Sequence, residues 1–346
     1  MRAPEFWSGK AEGRDRALVL QALLAPLGFA YGAAAAARQR WTKPSHVSVP
    51  VLCVGNLTLG GAGKTPIARA LRARLGAGVH VLLRGYGGVA TGPLRVDQEA
   101  PFRLVGDEAL LHAADGPTWI ARDRVAGARA AEKAGARLII MDDGFQNPTL
   151  HKDLSIVAVD AQTGVGNGNT FPAGPLRERL ADGVARADAF IIVESSRAEP
   201  GVSPRAGDDV LAPRGGKGAR GALVEALAAR GLRATLQPLG VPPKGPIVAF
   251  AGIGRPMKFF DALKAMGADL AEAAPFPDHY AFTAGDLDWL AKLAAERNAT
   301  LLTTEKDHMR LDAHWRARVG VLKVQAQFAD EAALEALLGP LRERMR

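Results

Sequence analysis

The chain has 346 residues, 48% of them hydrophobic and 23% charged, with a formal net charge of +8. This balance excludes a disordered chain and leaves room for two domains. A single cysteine, Cys53, excludes an internal disulfide and a thiolate metal cluster; it lies in an apolar run and reads as a core residue. The basic excess suits anionic partners, but no nucleic-acid recognition motif accompanies it, and nucleic acid is not expected as a partner.

Residues 17–37, ALVLQALLAPLGFAYGAAAAA, carry no charge; Arg14 and Arg16 precede them, and Arg38 and Arg40 follow. As a helix the stretch would span ~31 Å, about one bilayer core. Gln21 and Pro26 interrupt it, and its alanines add little transfer energy. Three readings are open: a membrane anchor or interfacial helix, a buried packing helix, and a cleaved signal peptide. The last would export the chain, which the nucleotide-type loop that follows argues against. Basic residues at both ends leave the orientation open.

From residue 49, apolar runs alternate with helical patterns. VPVLCVGN, VHVLLRG, PTWIA, RLIIMDD, LSIVAVD and AFIIVES read as strands; PIARALRARLG, DEALLHAAD and DRVAGARAAEKAG read as helices. Val/Ile/Leu-rich strands separated by helices predict a mostly parallel sheet covered on both faces. Residues 197–220 are dense in Gly, Pro and Arg and read as a linker. A second α/β pattern follows: GPIVAFAGIG, TLLTTEKD and VGVLKVQAQF as strands, PMKFFDALKAMG and AGDLDWLAKLAAERNA as helices, and DEAALEALLGPLRERM as a closing amphipathic helix. The predicted fold class is therefore α/β, a P-loop-containing mostly parallel sheet domain plus a second, smaller α/β domain, with an N-terminal hydrophobic helix. The boundaries are 1–44 for the helix region, 45–196 for the nucleotide-binding domain, 197–244 for a linker and 245–346 for the C-terminal domain.

VGNLTLGGAGKTP, residues 54–66, follows the first strand and opens a helix. Unpaired N–H groups and the dipole at a helix start attract anions, and glycines let backbone wrap a phosphate. Thr58, Leu59, Gly60, Gly61, Ala62, Gly63, Lys64 and Thr65 form the candidate cradle, with Lys64 set to bridge β- and γ-phosphates and the Thr65 hydroxyl to bind Mg²⁺. Thr58 stands where the usual pattern has its first glycine. RLIIMDD ends a buried strand on Asp142 and Asp143, adjacent carboxylates that call for a cation.

The blocks VGNLTLGGAGKTP, LRGYGG, VGDEALLHA, MDDGFQNPTLHKDLSIVAVDA, GNGNTFPAGPLRE, VAFAGIGRPMKFFDAL, FPDHYAFT and LLTTEKDHMRL occur in that order. Together they closely resemble the tetraacyldisaccharide 4'-kinase family, the lipid A 4'-kinases of Gram-negative bacteria, over roughly residues 15–330. That family also has Thr or Ser at the position of Thr58. The resemblance implies ATP- and Mg²⁺-dependent phosphorylation of the 4'-hydroxyl of a lipid-linked glucosamine disaccharide, giving lipid IVA, at the cytoplasmic face of the inner membrane. Asp107 resembles the family's catalytic carboxylate, His279 its partner, and Glu108 a residue near Mg²⁺. Asp107 would accept the proton of the sugar hydroxyl. An N-cap role for Asp107 and first-turn helix charge for Glu108 are the plain alternatives. Arg124 and Arg177 are further candidates for phosphate contact, and TTEKD for the adenine pocket. The chain departs from the family at Arg179, where proline is usual.

The competing functions are a P-loop GTPase or metallochaperone, for which a guanine motif and Cys/His clusters are missing, and a non-catalytic membrane module. No obligate protein partner is evident.

Overall fold

VLCVGN is apolar toward both faces, and it forms β1 (Val51–Asn56), every residue of which is buried. In the computed structural model, which describes residues 4–7, 14–195 and 219–345, β1 lies between β5 (Leu138–Asp142) and β6 (Leu154–Asp160), parallel to both. The other strands are β2 (Val79–Leu83), β3 (Leu94–Arg95), β4 (Thr118–Ile120), β7 (Ala189–Ser195), β8 (Gly231–Leu239), β9 (Pro246–Ala251), β10 (Asp269–Pro275), β11 (Thr300–Thr304) and β12 (Gly320–Phe328). All belong to one 12-stranded sheet in the order β10-β9-β11-β12-β8-β7-β6-β1-β5-β2-β4-β3. Every neighbouring pair is parallel except β12–β8 and the short edge pair β3–β4. Parallel pairing needs crossovers, and these helices cover the sheet on both faces.

The crossovers are α2 (Lys64–Leu75), α3 (Phe102–Val105), α4 (Asp107–Asp115), α5 (Arg124–Lys133), α6 (Leu180–Arg186) and α7 (Ala219–Arg230) in the first part of the chain. Later come α8 (Pro256–Ala265), α9 (Ala284–Glu296), α10 (Glu305–His308), α11 (Ala313–Arg316) and α12 (Glu331–Arg344). Leu71 of α2, Leu110 of α4 and Leu338 of α12 pack on one face of the first sheet segment. Ala128 of α5, Val184 of α6 and Leu227 of α7 pack on the other, with Cys53 among them. Burial pushes the Cys53 thiol up to about 12, so it is an inert packing group.

Two expectations need correction, and one strand has no counterpart among them. Residues 219–239, inside the stretch 197–244 read as linker, form α7 and β8; the Gly/Pro/Arg density ends before them, and residues 196–218 lie outside the described residues. β8 pairs with β7 on one side and β12 on the other, so it joins the two parallel groups into one sheet. The strand read over TLLTTEKD stops at Thr304, whose hydroxyl accepts the Asp307 backbone N–H and starts α10. The edge strand β10 carries Asp, Glu and three alanines instead of β-branched residues, and for that reason gives no strand signal.

α1 (Arg14–Trp41) is one continuous helix with Pro26 inside it. It docks through a narrow seam: Gly28 and Gly32 are buried, and a Cβ on Gly28 would come within 2.9 Å of the Thr170 carbonyl. The Thr170 hydroxyl donates to the Gly28 carbonyl at 2.6 Å. Gln21, the polar interruption, donates to the Phe6 carbonyl, and Gln39 to that of Gln146. The other faces are bare: Leu23 and Phe29 are each 70% exposed, which overturns the buried packing helix. Residues 16–41 are long and apolar enough to cross a membrane. Arg179 takes φ −62°, the value that proline imposes, so the departure leaves the backbone path intact; its side chain lies over the Phe29 ring.

β1 also passes close to the turn after β5. A Cβ on Gly55 would sit 2.4 Å from the Phe145 Cβ, which cannot yield without moving backbone. Gly55→Ala is expected to cost about 1–3 kcal/mol by overpacking, read as a lower midpoint in urea unfolding with an unchanged slope.

Candidate active site

The candidate cradle is a turn between β1 and α2. Gly60 (φ 112°) and Gly63 (φ 79°) take left-handed conformations that a side chain would resist, and Gly63 caps α2. A second loop braces the turn from outside: the Leu59 N–H donates to Pro175 O at 2.7 Å, and the Arg177 N–H to Leu57 O at 2.8 Å. Thr58 forms a bridge with Leu176, and its carbonyl accepts from Asn56 Nδ2 (2.8 Å) and Arg177 Nε (3.0 Å). Ala62 is buried, and the Gly61 carbonyl accepts from Arg255 at 3.1 Å.

Lys64 and Thr65, the first residues of α2, face the end of β5. Lys64 Nζ donates to Asn56 Oδ1 (3.3 Å) and lies 3.7 Å from Asp143. Arg177 also reaches Asp143, at 2.7 Å. Burial pushes the Asp143 carboxyl up, but Lys64, Arg177 and Arg124 outweigh it and hold the group below its ordinary range. Thr65 Oγ1 donates to Asp142 Oδ2 at 2.9 Å. The same oxygen lies 2.9 Å from His112 Nε2 of α4, and both side chains are buried. Asp142 Oδ1 is buried without a hydrogen-bond partner among the described residues.

Asp107 is the first residue of α4, entered through Gly106 at φ 90°. Its Oδ1 accepts the Glu108 N–H, so it does not cap later amides. Its Oδ2 lies 3.3 Å from His279 Nδ1 and accepts from Arg310 Nε at 2.7 Å. His279 is held in a left-handed turn (φ 57°), its N–H on Gly252 O and its ring edge-on to Tyr86. Burial raises the Asp107 carboxyl, yet the hydrogen bond from His279 and the charges of Lys306 and Arg310 bring it well below the carboxylate range. Glu108 pairs with Lys306 at 2.9 Å. Arg124 is buried on the Ala121 carbonyl at the start of α5, with Nε lacking a hydrogen-bond partner among the described residues. Burial and the Arg84 charge bring its guanidinium down to about 10.

These contacts assemble the candidates into two neighbouring groups, one around Lys64, Thr65, Asp142 and Asp143, the other around Asp107 and His279. The hydrogen-bonded chain Thr65–Asp142–His112 joins them, since His112 lies five residues beyond Asp107 on α4, ~7.5 Å along the helix axis. His112, Arg255 and Arg310 carry no signal of their own in the sequence; each lies inside a recognisable block, but its partner is far away in the chain. In TTEKD, Glu305 pairs with Arg69 and Lys306 with Glu108.

The model of the tetraacyldisaccharide-1-P 4'-kinase family matches residues 20–342. The chain belongs to this family. It is 49% identical to the tetraacyldisaccharide 4'-kinase of Phenylobacterium zucineum, with 99% of each chain covered, and 48% identical to that of Maricaulis maris, covering 98% and 96%. A crystal structure of LpxK from Aquifex aeolicus in complex with ATP superposes with a TM-score of 0.68 at 26% identity, over 93% of this chain and 99% of that one. The protein is thus a kinase with a phosphate loop.

The kinase also bridges its loop to the C-terminal half at Asp160, where β6 ends. Asp160 accepts from Arg255 and from Lys258 Nζ at 3.0 Å. Burial raises the Asp160 carboxyl, but these two cations carry it far below its ordinary 3.8. A folded pKa below the unfolded one contributes stability that is full above the unfolded value and is lost as pH falls through the folded one. Asp160→Asn is therefore expected to lower the melting temperature at pH 7 and to flatten its decline below about pH 4, read by melting curves across pH 2–7.

Proposed function

We propose that the chain transfers the γ-phosphoryl group of ATP to the 4'-hydroxyl of a tetraacyldisaccharide 1-phosphate, giving lipid IVA, at the cytoplasmic face of the inner membrane. The observation that carries this reading is the chain Thr65–Asp142–His112, which ties the phosphate loop to the helix that begins with Asp107. The backbone N–H groups from Gly60 to Thr65 would hold the β- and γ-phosphates, with Lys64 against the transferring group. The residues present fit a magnesium ion: the orphaned, buried Asp142 Oδ1 beside the Thr65 hydroxyl is a hard oxygen set in need of a cation. Thr65 and Asp142 would hold it, and when bound it would offset charge on the phosphates. Asp143, paired with Lys64 and Arg177, and Glu108, paired with Lys306, would act from further out.

In the transfer, the sugar oxygen forms a bond to the γ-phosphorus and the bond to the β-phosphate oxygen breaks, its electron pair leaving with ADP. The hydroxyl proton passes to Asp107. His279 and Arg310 keep that carboxylate ionised and oriented; a loose transition state asks more of orientation than of base strength.

The acyl chains of such a substrate resist leaving the bilayer, at about 0.8 kcal/mol per exposed CH₂. The bare apolar faces of α1 would place the enzyme where its substrate lies, and the basic excess would favour an anionic leaflet.

Two experiments test the reading. With ATP, magnesium and the disaccharide 1-phosphate lipid, Asp107→Ala is expected to lose about 10²–10⁴ in kcat while still binding an ATP analogue, and chelation of magnesium to stop transfer. Near-normal turnover by Asp107→Ala would remove Asp107 from its role. In co-sedimentation with anionic vesicles, the double variant Leu23→Glu, Phe29→Glu is expected to shift from the pellet to the supernatant with its melting temperature unchanged; equal pelleting would count against α1 as the anchor.

A further inference from the structure

Arg310 follows α10 in the C-terminal half and has its side chain 1% exposed. Three acceptors fix its guanidinium. Nε donates to Asp107 Oδ2 at 2.7 Å, and Nη2 lies 2.5 Å from the same oxygen. Nη1 donates to Asp307 Oδ1 and to the Gly252 carbonyl, each at 2.7 Å. Asp307 is in turn held by the Gly252 N–H at 3.0 Å and the Thr304 hydroxyl at 2.6 Å. The fork is therefore anchored to the ends of β9 and β11 before it meets Asp107.

The two carboxylate oxygens of Asp107 are left unequal. Oδ2 faces two guanidinium nitrogens and His279 Nδ1, whereas Oδ1 takes one backbone N–H. A carboxylate has about four lone-pair sites. Oδ2 takes the Nε hydrogen bond and is crowded by Nη2 and by His279 Nδ1, while Oδ1 keeps capacity for one more hydrogen. Rotation about the Cβ–Cγ bond would exchange the oxygens; the guanidinium plane, fixed by Nη1 on Asp307 and Gly252, keeps Nε on Oδ2 and opposes it in a way that a freely turning ammonium would not.

We propose that Arg310 is a positioning residue for phosphoryl transfer: anchored by Asp307 and the Gly252 carbonyl, it occupies Asp107 Oδ2 and so dedicates Oδ1 to the proton of the sugar hydroxyl. This rests on the reading of Asp107 as the proton acceptor. It also gives the C-terminal half a part in the chemistry through a residue whose hydrogen bonds all go to protein acceptors. Loss of the fork lowers the rate of transfer and leaves ATP binding in place, because none of its partners belongs to the phosphate loop.

The test is a double-mutant cycle in the full-length enzyme. Arg310→Gln, Arg310→Lys, Asp107→Asn and the two double variants are assayed for kcat and for KM of both substrates, with ATP-analogue binding and melting temperature alongside. Arg310→Gln is expected to reduce kcat about 10²-fold with KM for ATP within about twofold, and Arg310→Lys to recover part of the loss. Combined with Asp107→Asn, either substitution adds no further loss, since its effect runs through the carboxylate. Unchanged kcat in Arg310→Gln, or an equal further loss in the Asp107→Asn background, overturns the proposal. If Arg310→Gln fails to fold, the same comparison with Arg310→Lys decides. Wild-type turnover by Asp107→Asn is a separate outcome, which removes the proton acceptor itself.

Discussion

Buried and half-buried carboxylates at the junction between the two halves of this sheet demand cations, and the C-terminal half supplies them. Arg310 meets Asp107, Lys306 meets Glu108, and Arg255 with Lys258 meets Asp160. Removing one member of such a pair leaves an uncompensated charge, whereas replacing both with apolar groups is often harmless. Stability alone is therefore a poor reason for keeping them. What the pairs do provide is a fixed relation between the phosphate loop, the head of α4 and the turns after β9 and β11.

That relation has a topological basis. A parallel sheet presents the C-terminal ends of its strands together, and ligands of open α/β folds bind there. The loop after β1, Asp142 at the end of β5 and Asp160 at the end of β6 share that edge through their parallel pairing. The strand direction reverses at β8–β12, and the turns of the second group come back against the first: Arg255 reaches Gly61, and His279 reaches Asp107. A kinase that handles an insoluble acceptor needs ATP and the acceptor hydroxyl brought to one place, and the junction offers donors from both sides.

α1 is attached at the opposite kind of contact. Instead of charge, two glycines admit Thr170 to the helix backbone, and the large apolar side chains are left outward. The loop it rests on continues into Arg177, which holds Thr58 and Asp143. The membrane-seeking element and the phosphate loop thus share one scaffold segment.

The local parts of this molecule were legible in the amino-acid order. β1, the glycine turn and α2 are contiguous, so residues 51–75 specify the cradle by short-range rules alone, and β5 declares its buried acidic end in the same way. The family resemblance carried Asp107 and His279 across the distance between them. Other features depend on neighbours that no short window contains. β8 was hidden because its place is set by pairing with β7 and β12, and β10 because an edge strand tolerates Ala, Asp and Glu. Arg310 finds its partner 203 positions earlier, and His112 shares an aspartate with a threonine on another helix. Chain order determines which backbone turns and which charges exist; only folding decides which charges meet, because burial sets the need for a partner and the sheet's connectivity chooses it.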